Sequence, residues 1–177
     1  LCWGQAAQQD IDSLCDISEK AWHNVVAVSN GSNGTGAVMN FYVDGNNCGA
    51  NRQLNVANPN YNLADSIYIG APVGESDQFT GNIDNVRIYY NKSLTSSEIQ
   101  DHYQRYKLYY QPNIKYQQNE IQRGVFIDIN NTNLHTFYGD YAVEVWLKPF
   151  DDVRQNTQVI GKGDGQNSIG SFWALYK

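Results

Sequence analysis

Short runs of β-branched and aromatic residues, each closed by Asn, Asp, Gly or Pro, recur along the whole chain. Trp22 to Val28, Val38 to Val43, Ser66 to Ile69, Gly81 to Tyr89 and Asp140 to Leu147 are the clearest. Runs of this length with turn signals between them specify strands, and many of them in one chain specify a two-sheet sandwich. Composition agrees. Only 17% of the 177 residues are charged, against about 25% in ordinary domains, and the polar share is carried by Asn, Gln, Ser and Gly. That excludes long helices and coiled coils, which need Ala, Glu, Lys and Leu. Asn and Gly suit tight turns, and the 13 tyrosines suit pleated surfaces.

Residues 1–17 are expected to form two strands and a turn. Asp44-Gly45, directly after Val38 to Val43, is a strong two-residue hairpin signal. Residues 46–63 predict a weak strand and a long loop, and Gly70 and Pro72 stop the strand before them. One helix is well signalled, over about 95–106. Thr95 and Glu98 have capping-box spacing, and Leu94 and Ile99 have the spacing of a hydrophobic staple. Residues 107–122, rich in Tyr and Gln, predict a linker. Strands resume at Gly124 to Ile129, and Tyr141, Val143, Val145 and Leu147 share one face of the next. Gln158 to Ile160 is short, Gly161, Gly163 and Gly165 predict a turn, and Ser171 to Tyr176 is the last strand.

The net charge of −6 and the lack of a basic cluster argue against nucleic acid. No apolar run approaches the ~20 residues of a membrane helix. Opening at Leu1, the chain is expected to be a mature or excised piece of something longer. Cys2, Cys15 and Cys48 fit no zinc spacing. They are either three thiols or one disulfide with one cysteine left over. Cys2–Cys15 across a hairpin is the first pairing and Cys15–Cys48 the alternative. Asn-x-Ser/Thr acceptors fall at Asn30, Asn33, Asn91 and Asn130, in turn-like segments. They point to an extracellular glycoprotein, secreted or at the cell surface.

Five segments together resemble the laminin G-like, concanavalin A-like jelly-roll family. They are Ala21 to Val28, Phe41 to Gly45, Ser66 to Gly70, Gly81 to Tyr89 and Leu94 to Ile99. In that family they belong to the later half of the domain. Arg123 to Asp128, Tyr141 to Pro149, Val159 to Gly163 and Ser171 to Leu175 resemble the earlier half, yet follow it here. The resemblance therefore implies an all-β antiparallel sandwich with its halves in inverted order: 1–106 the later half, 107–122 a linker and 123–177 the early half. The early half closes either on its own chain, as a circular permutant, or as part of a tandem array, or on a neighbouring subunit. The last two produce a fibre, because a contact that does not close propagates.

Asp84 alternates onto the face of Val86 and Ile88, where a carboxylate needs a partner. That partner is a cation or N–H group of the protein, or a calcium ion; a β-bulge would instead turn Asp84 outward. The resemblance implies a structural Ca2+ held by Asp84 with Asp128 or Asn130. No catalytic residues are expected. The carboxylate pairs Asp140/Glu144 and Asp151/Asp152 read as solvated charges, and His23, His102 and His135 lie on different elements. Trp22, Trp146 and Trp173 are assigned to packing, and Tyr89-Tyr90 and Tyr109-Tyr110 to interfaces. The expected function is a non-catalytic extracellular structural or adhesive module that self-assembles head to tail. A carbohydrate-binding lectin-like module is the alternative and a glycoside hydrolase the third. N-linked glycan is expected on at least two of Asn30, Asn33, Asn91 and Asn130; intact mass before and after glycosidase treatment checks it, an unmodified 20.0 kDa from native source being the contrary result.

Overall fold

The computed structural model describes residues 2–4, 11–12, 15–30, 37–49, 52–54, 66–70, 79–110, 127–129, 140–150, 158–163 and 173–176. The strands are β1 (Cys2–Gly4), β2 (Ile11–Asp12), β3 (His23–Asn30), β4 (Ala37–Val43), β5 (Asn46–Asn47), β6 (Arg52–Leu54), β7 (Ser66–Ile69), β8 (Gly81–Tyr90), β9 (Ile127–Ile129), β10 (Tyr141–Pro149), β11 (Gln158–Gly163) and β12 (Trp173–Tyr176). Between β8 and β9 lies α1 (Ser96–Tyr106), continued by a 3₁₀ helix (Lys107–Tyr110). An outer sheet runs β2-β1-β12-β11-β7-β9, and a middle sheet β5-β4-β3-β10-β8, with β6 also on β4. Every pairing described is antiparallel.

The period of two sorts the side chains into two cores. Val25, Ala27, Met39, Phe41, Val43, Val143, Val145 and Leu147 of the middle sheet pack against Ile67, Ile69, Val159 and Ile160 of the outer sheet. On the opposite face of the middle sheet, Val26, Val28, Tyr42 and Ala142 pack against Leu94 and Ile99. The helix therefore lies on the outside of the middle sheet as a third layer. Its start is as the sequence specifies. Thr95 Oγ1 accepts from the Glu98 amide at 3.2 Å, and Glu98 Oε2 accepts from the Thr95 amide at 2.9 Å. Leu94 and Ile99, the staple pair, are both buried.

Asp44 and Gly45 have φ of 52° and 79°, the left-handed pair that a two-residue hairpin needs, and Val43 then faces Asn46. At Gly81 any Cβ would collide with the carbonyl oxygen of Lys148 and the ring of Phe79, so that the β8–β10 pairing begins on a residue without a side chain.

Strand β10 lies between β3 and β8 of the same chain, with Val143 opposite Ala27 on one side and Ile88 on the other. Strand β12 pairs with β1, placing Tyr176 opposite Cys2. Three expectations change. Residues 107–110 are a 3₁₀ helix rather than linker, because Tyr110 finds an aromatic partner on the middle sheet. Gly161 and Gly163 lie within β11, where pairing with β7 overrides their turn tendency. The disulfide joins Cys15 to Cys48, not Cys2 to Cys15: Cys48 follows the Asp44-Gly45 hairpin on the edge of the middle sheet, and its Cα lies 5.0 Å from that of Cys15. The segments 31–36, 55–65 and 111–126 lie outside the described residues.

The disulfide spans 33 residues. Closing a loop of that size in the unfolded chain is worth about 3–4 kcal/mol. Cys15→Ser is therefore expected to lower the thermal midpoint, and reductant to lower that of the native protein to match, with no further effect on the variant.

Candidate functional site

The outward face of the middle sheet carries the chemistry. Along β10 the even-numbered positions, Ala142, Glu144 and Trp146, point away from the inter-sheet core and under the helix. Glu144 is 0% exposed, a carboxylate in the middle of a central strand. Its neighbours across the strands are Val26 and Arg87. Four side chains meet it. Asn24 Nδ2 donates to Oε1 at 3.2 Å. The Tyr89 hydroxyl donates to Oε2 at 3.0 Å, and His102 of α1 reaches the same oxygen through Nδ1 at 3.0 Å. Since a carboxylate only accepts, Nδ1 carries the proton. The Arg87 guanidinium lies 3.7 Å from Oε2, with its plane over the Tyr106 ring at 4.4 Å. Burial, and then the charge of Glu144, push the Tyr89 hydroxyl above the usual phenol range. Burial lowers the Arg87 pKa, but its hydrogen bonds to Tyr106 and Tyr89 and the charge of Glu144 leave it raised overall.

Toward the other end of the face lies an aromatic stack. The ring of Tyr110 lies on Trp146 with centroids 4.1 Å apart, tilts against Trp22 at 4.9 Å, and Tyr103 stacks on Trp146 at 6.0 Å. Around it are buried polar atoms without a protein partner: Nε1 of Trp22 and Trp146, and Oδ1 of Asn24 and Asn82.

Asp84 does not lie on the interior face. Asn85 has φ of 51°, and Asn85 and Val86 together oppose the single Val145, a β-bulge that restores Val86 and Ile88 to the core and leaves Asp84 exposed. The Tyr110 hydroxyl donates to Asp84 Oδ2 at 3.0 Å, and the Asn85 amide to Oδ1 at 2.7 Å. Burial, then the charge of Asp84, raise the Tyr110 pKa. Asp128 is in β9, at the edge of the outer sheet, paired with Tyr68, while Asp84 belongs to the edge strand of the middle sheet. Asn130 lies outside the described residues. Among the described residues no three His, Cys, Asp or Glu side chains form a metal-binding group.

Glu144 had been expected at the surface beside Asp140. Only Asp140 is exposed, accepting from Ser93 Oγ at 3.3 Å. Glu144 falls in the middle of a strand whose other residues are nearly all apolar, and the helix laid over the far face closes it in. Tyr89 and Tyr110, expected at interfaces, are held by Glu144 and Trp146 instead; Tyr109 remains 50% exposed. Asn91 is exposed between β8 and α1 and Asn30 ends β3, whereas Asn33, His135, Asp151 and Asp152 lie outside the described residues.

A two-sheet antiparallel sandwich of this order, with one short helix on its face, is a lectin-like jelly roll. A family model for the concanavalin A-like lectin/glucanases superfamily matches residues 1–100. The match covers more than half of the 177 residues, and the chain belongs to that superfamily, as a laminin G-like domain. Among curated proteins and solved structures nothing matches it.

Glu144→Ala is expected to cost about 3–5 kcal/mol, because Arg87 loses its counter-charge and the Asn24, Tyr89 and His102 donors lose their buried acceptor. Glu144→Gln, which keeps the shape, costs about 1.5–3 kcal/mol. Asp84→Ala, being exposed, costs under about 1 kcal/mol. Denaturant unfolding of the three variants checks the order.

Proposed function

We propose that the chain is a non-catalytic extracellular adhesive module. The observation that carries this reading is Glu144. A retaining or inverting glycosidase needs two carboxylates about 5–10 Å apart with access to substrate. Here the carboxylate at the centre of the face is sealed, its two oxygens engaged by Asn24, Tyr89 and His102. The Cys15–Cys48 disulfide and the exposed Asn91 acceptor suit an oxidising, glycosylating compartment. Leu108, Tyr109 and Phe150, 55%, 50% and 38% exposed, offer apolar and aromatic surface for a contact.

The contact proposed is with further copies. The part donated would be the early half, residues 123–177: a neighbour's β10 would make the same pairings with β3 and β8 of residues 1–106. Multi-angle light scattering over a range of concentrations tests this. Species of two or more chains that persist on dilution support it, and a monomer throughout overturns it. Carbohydrate recognition is the second reading, favoured by the half-buried Trp22 and Tyr110 rings, which lie 4.9 Å apart. Soluble oligosaccharides that quench the tryptophan fluorescence of the native protein but not of Trp22→Phe would establish it.

A further inference from the structure

A second cluster lies away from that face, where the segment after Cys15 meets the Asp44-Gly45 turn. Ser18 Oγ is 2.7 Å from His23 Nε2. His23 Nδ1 is 2.8 Å from Asp44 Oδ2. The other carboxylate oxygen, Oδ1, accepts the Asn24 amide at 3.0 Å and is thereby fixed. For a neutral imidazole the protonation pattern follows from valence. An ionised carboxylate only accepts, so Nδ1 must donate to Asp44. In the neutral imidazole Nε2 is then the lone-pair nitrogen, so the Ser18 hydroxyl donates to it. A hydroxyl donating to a nitrogen base that is itself oriented by a carboxylate is the arrangement of an activated serine nucleophile, recognised by geometry and not by position in a chain.

The surroundings hold all three members from different directions. The Cys15–Cys48 disulfide ties the Ser18 segment to the chain just past β5. The Lys20 amide donates to Pro149 O at 2.8 Å, and Lys20 has φ of 62°, so the chain bends sharply between Ser18 and His23. The Asp44 amide donates to Asn24 O at 2.9 Å, fixing the turn against β3. His23 and Asp44 side chains are 13% and 27% exposed, while Ser18 is open to solvent. A structural latch between β3 and the turn needs only His23 and Asp44. It gives no reason for a hydroxyl on the far nitrogen at an accessible position.

We propose that Ser18, with His23 as general base and Asp44 as its orienting carboxylate, is an acyl-accepting nucleophile that reacts with activated esters. Oγ attacks the ester carbonyl carbon while its proton passes to Nε2. The bond to the leaving oxygen breaks, that oxygen takes the proton from Nε2, and the products are a free alcohol and an acyl ester on Ser18. No electron acceptor or donor is needed. For an adhesive module, such a step would convert contact with an ester-bearing partner into a covalent bond.

A fluorophosphonate probe, which loses fluoride to a nucleophilic serine, tests the proposal on the intact, oxidised protein, with peptide mass mapping to locate the label. A positioned base contributes roughly 10²–10⁴-fold. Ser18 is therefore expected to label at least about 100-fold faster than the exposed Ser96 and Ser97 of the same molecule, and to lose that advantage in denaturant. Asp44→Asn, which allows the wrong tautomer, and His23→Gln are expected to bring Ser18 down to the rate of the other serines while the thermal midpoint confirms folding. Labelling of Ser18 at the rate of Ser96 in the native protein, or undiminished labelling in either folded variant, overturns the proposal. Should both variants fail to fold, the comparison of Ser18 with Ser96 and Ser97 in the native protein decides alone.

Discussion

Strand β10 is the constraint on which the other layers depend. It is central in the middle sheet and buried on both faces: Val143, Val145 and Leu147 against the outer sheet, Ala142, Glu144 and Trp146 beneath the helical layer. A strand in that position has no edge to solvent and no face to solvent, so its backbone and side chains must be satisfied wholly within the protein. The backbone requirement is met by β3 and β8. The side-chain requirement explains the helix. Without α1, Val26, Val28 and Ala142 would form an apolar exposed patch and Glu144 would be solvated; with it, the patch is a core and Glu144 needs His102 from that same helix.

Burying one carboxylate makes several other residues interdependent. Tyr89, Arg87, Asn24 and His102 come from β8, β3 and α1, and each is held to the others through two oxygens. Such a network adds less stability than an apolar replacement of the same shape would, but it is intolerant of a shift in register. A slip of β10 by one residue would turn Glu144 into the inter-sheet core. The network thus distinguishes one docking of the helix and one register of three strands from their alternatives.

Much of this architecture was legible in the sequence because its signals are local. The Asp44-Gly45 hairpin, the Thr95/Glu98 box, the Leu94/Ile99 staple and the alternation of Tyr141 to Leu147 each specify structure within a few residues, and each is found in place. What was not legible depends on elements far apart. Whether a carboxylate on an alternating strand meets water or a helix is decided by the helix, 42 residues from Glu144 in the case of His102. Asp84 was open in the sequence: strict alternation places it inward and a β-bulge outward, and a single left-handed residue, Asn85, decides for the bulge. The pairing of three cysteines turns on which edge strand the chain reaches after a hairpin, which spacing alone does not fix. The Ser18–His23–Asp44 arrangement was likewise invisible, since its members lie 5 and 21 residues apart and are joined only when the turn folds back on β3.

The pairing of β1 with β12 has a mechanical consequence. Cys2 faces Tyr176 and Gly4 faces Ala174, so residues 2 and 176 are neighbours at one end of an antiparallel pair. Tension entering at residue 2 and leaving at residue 176 pulls the strands apart crosswise and loads one rung of the ladder at a time. The ladder opens like a zipper, at lower force than sliding the strands lengthwise would require. Under load the domain would therefore yield first at this seam, leaving the middle sheet, where β10 is held on both sides, closed after the outer one has begun to open.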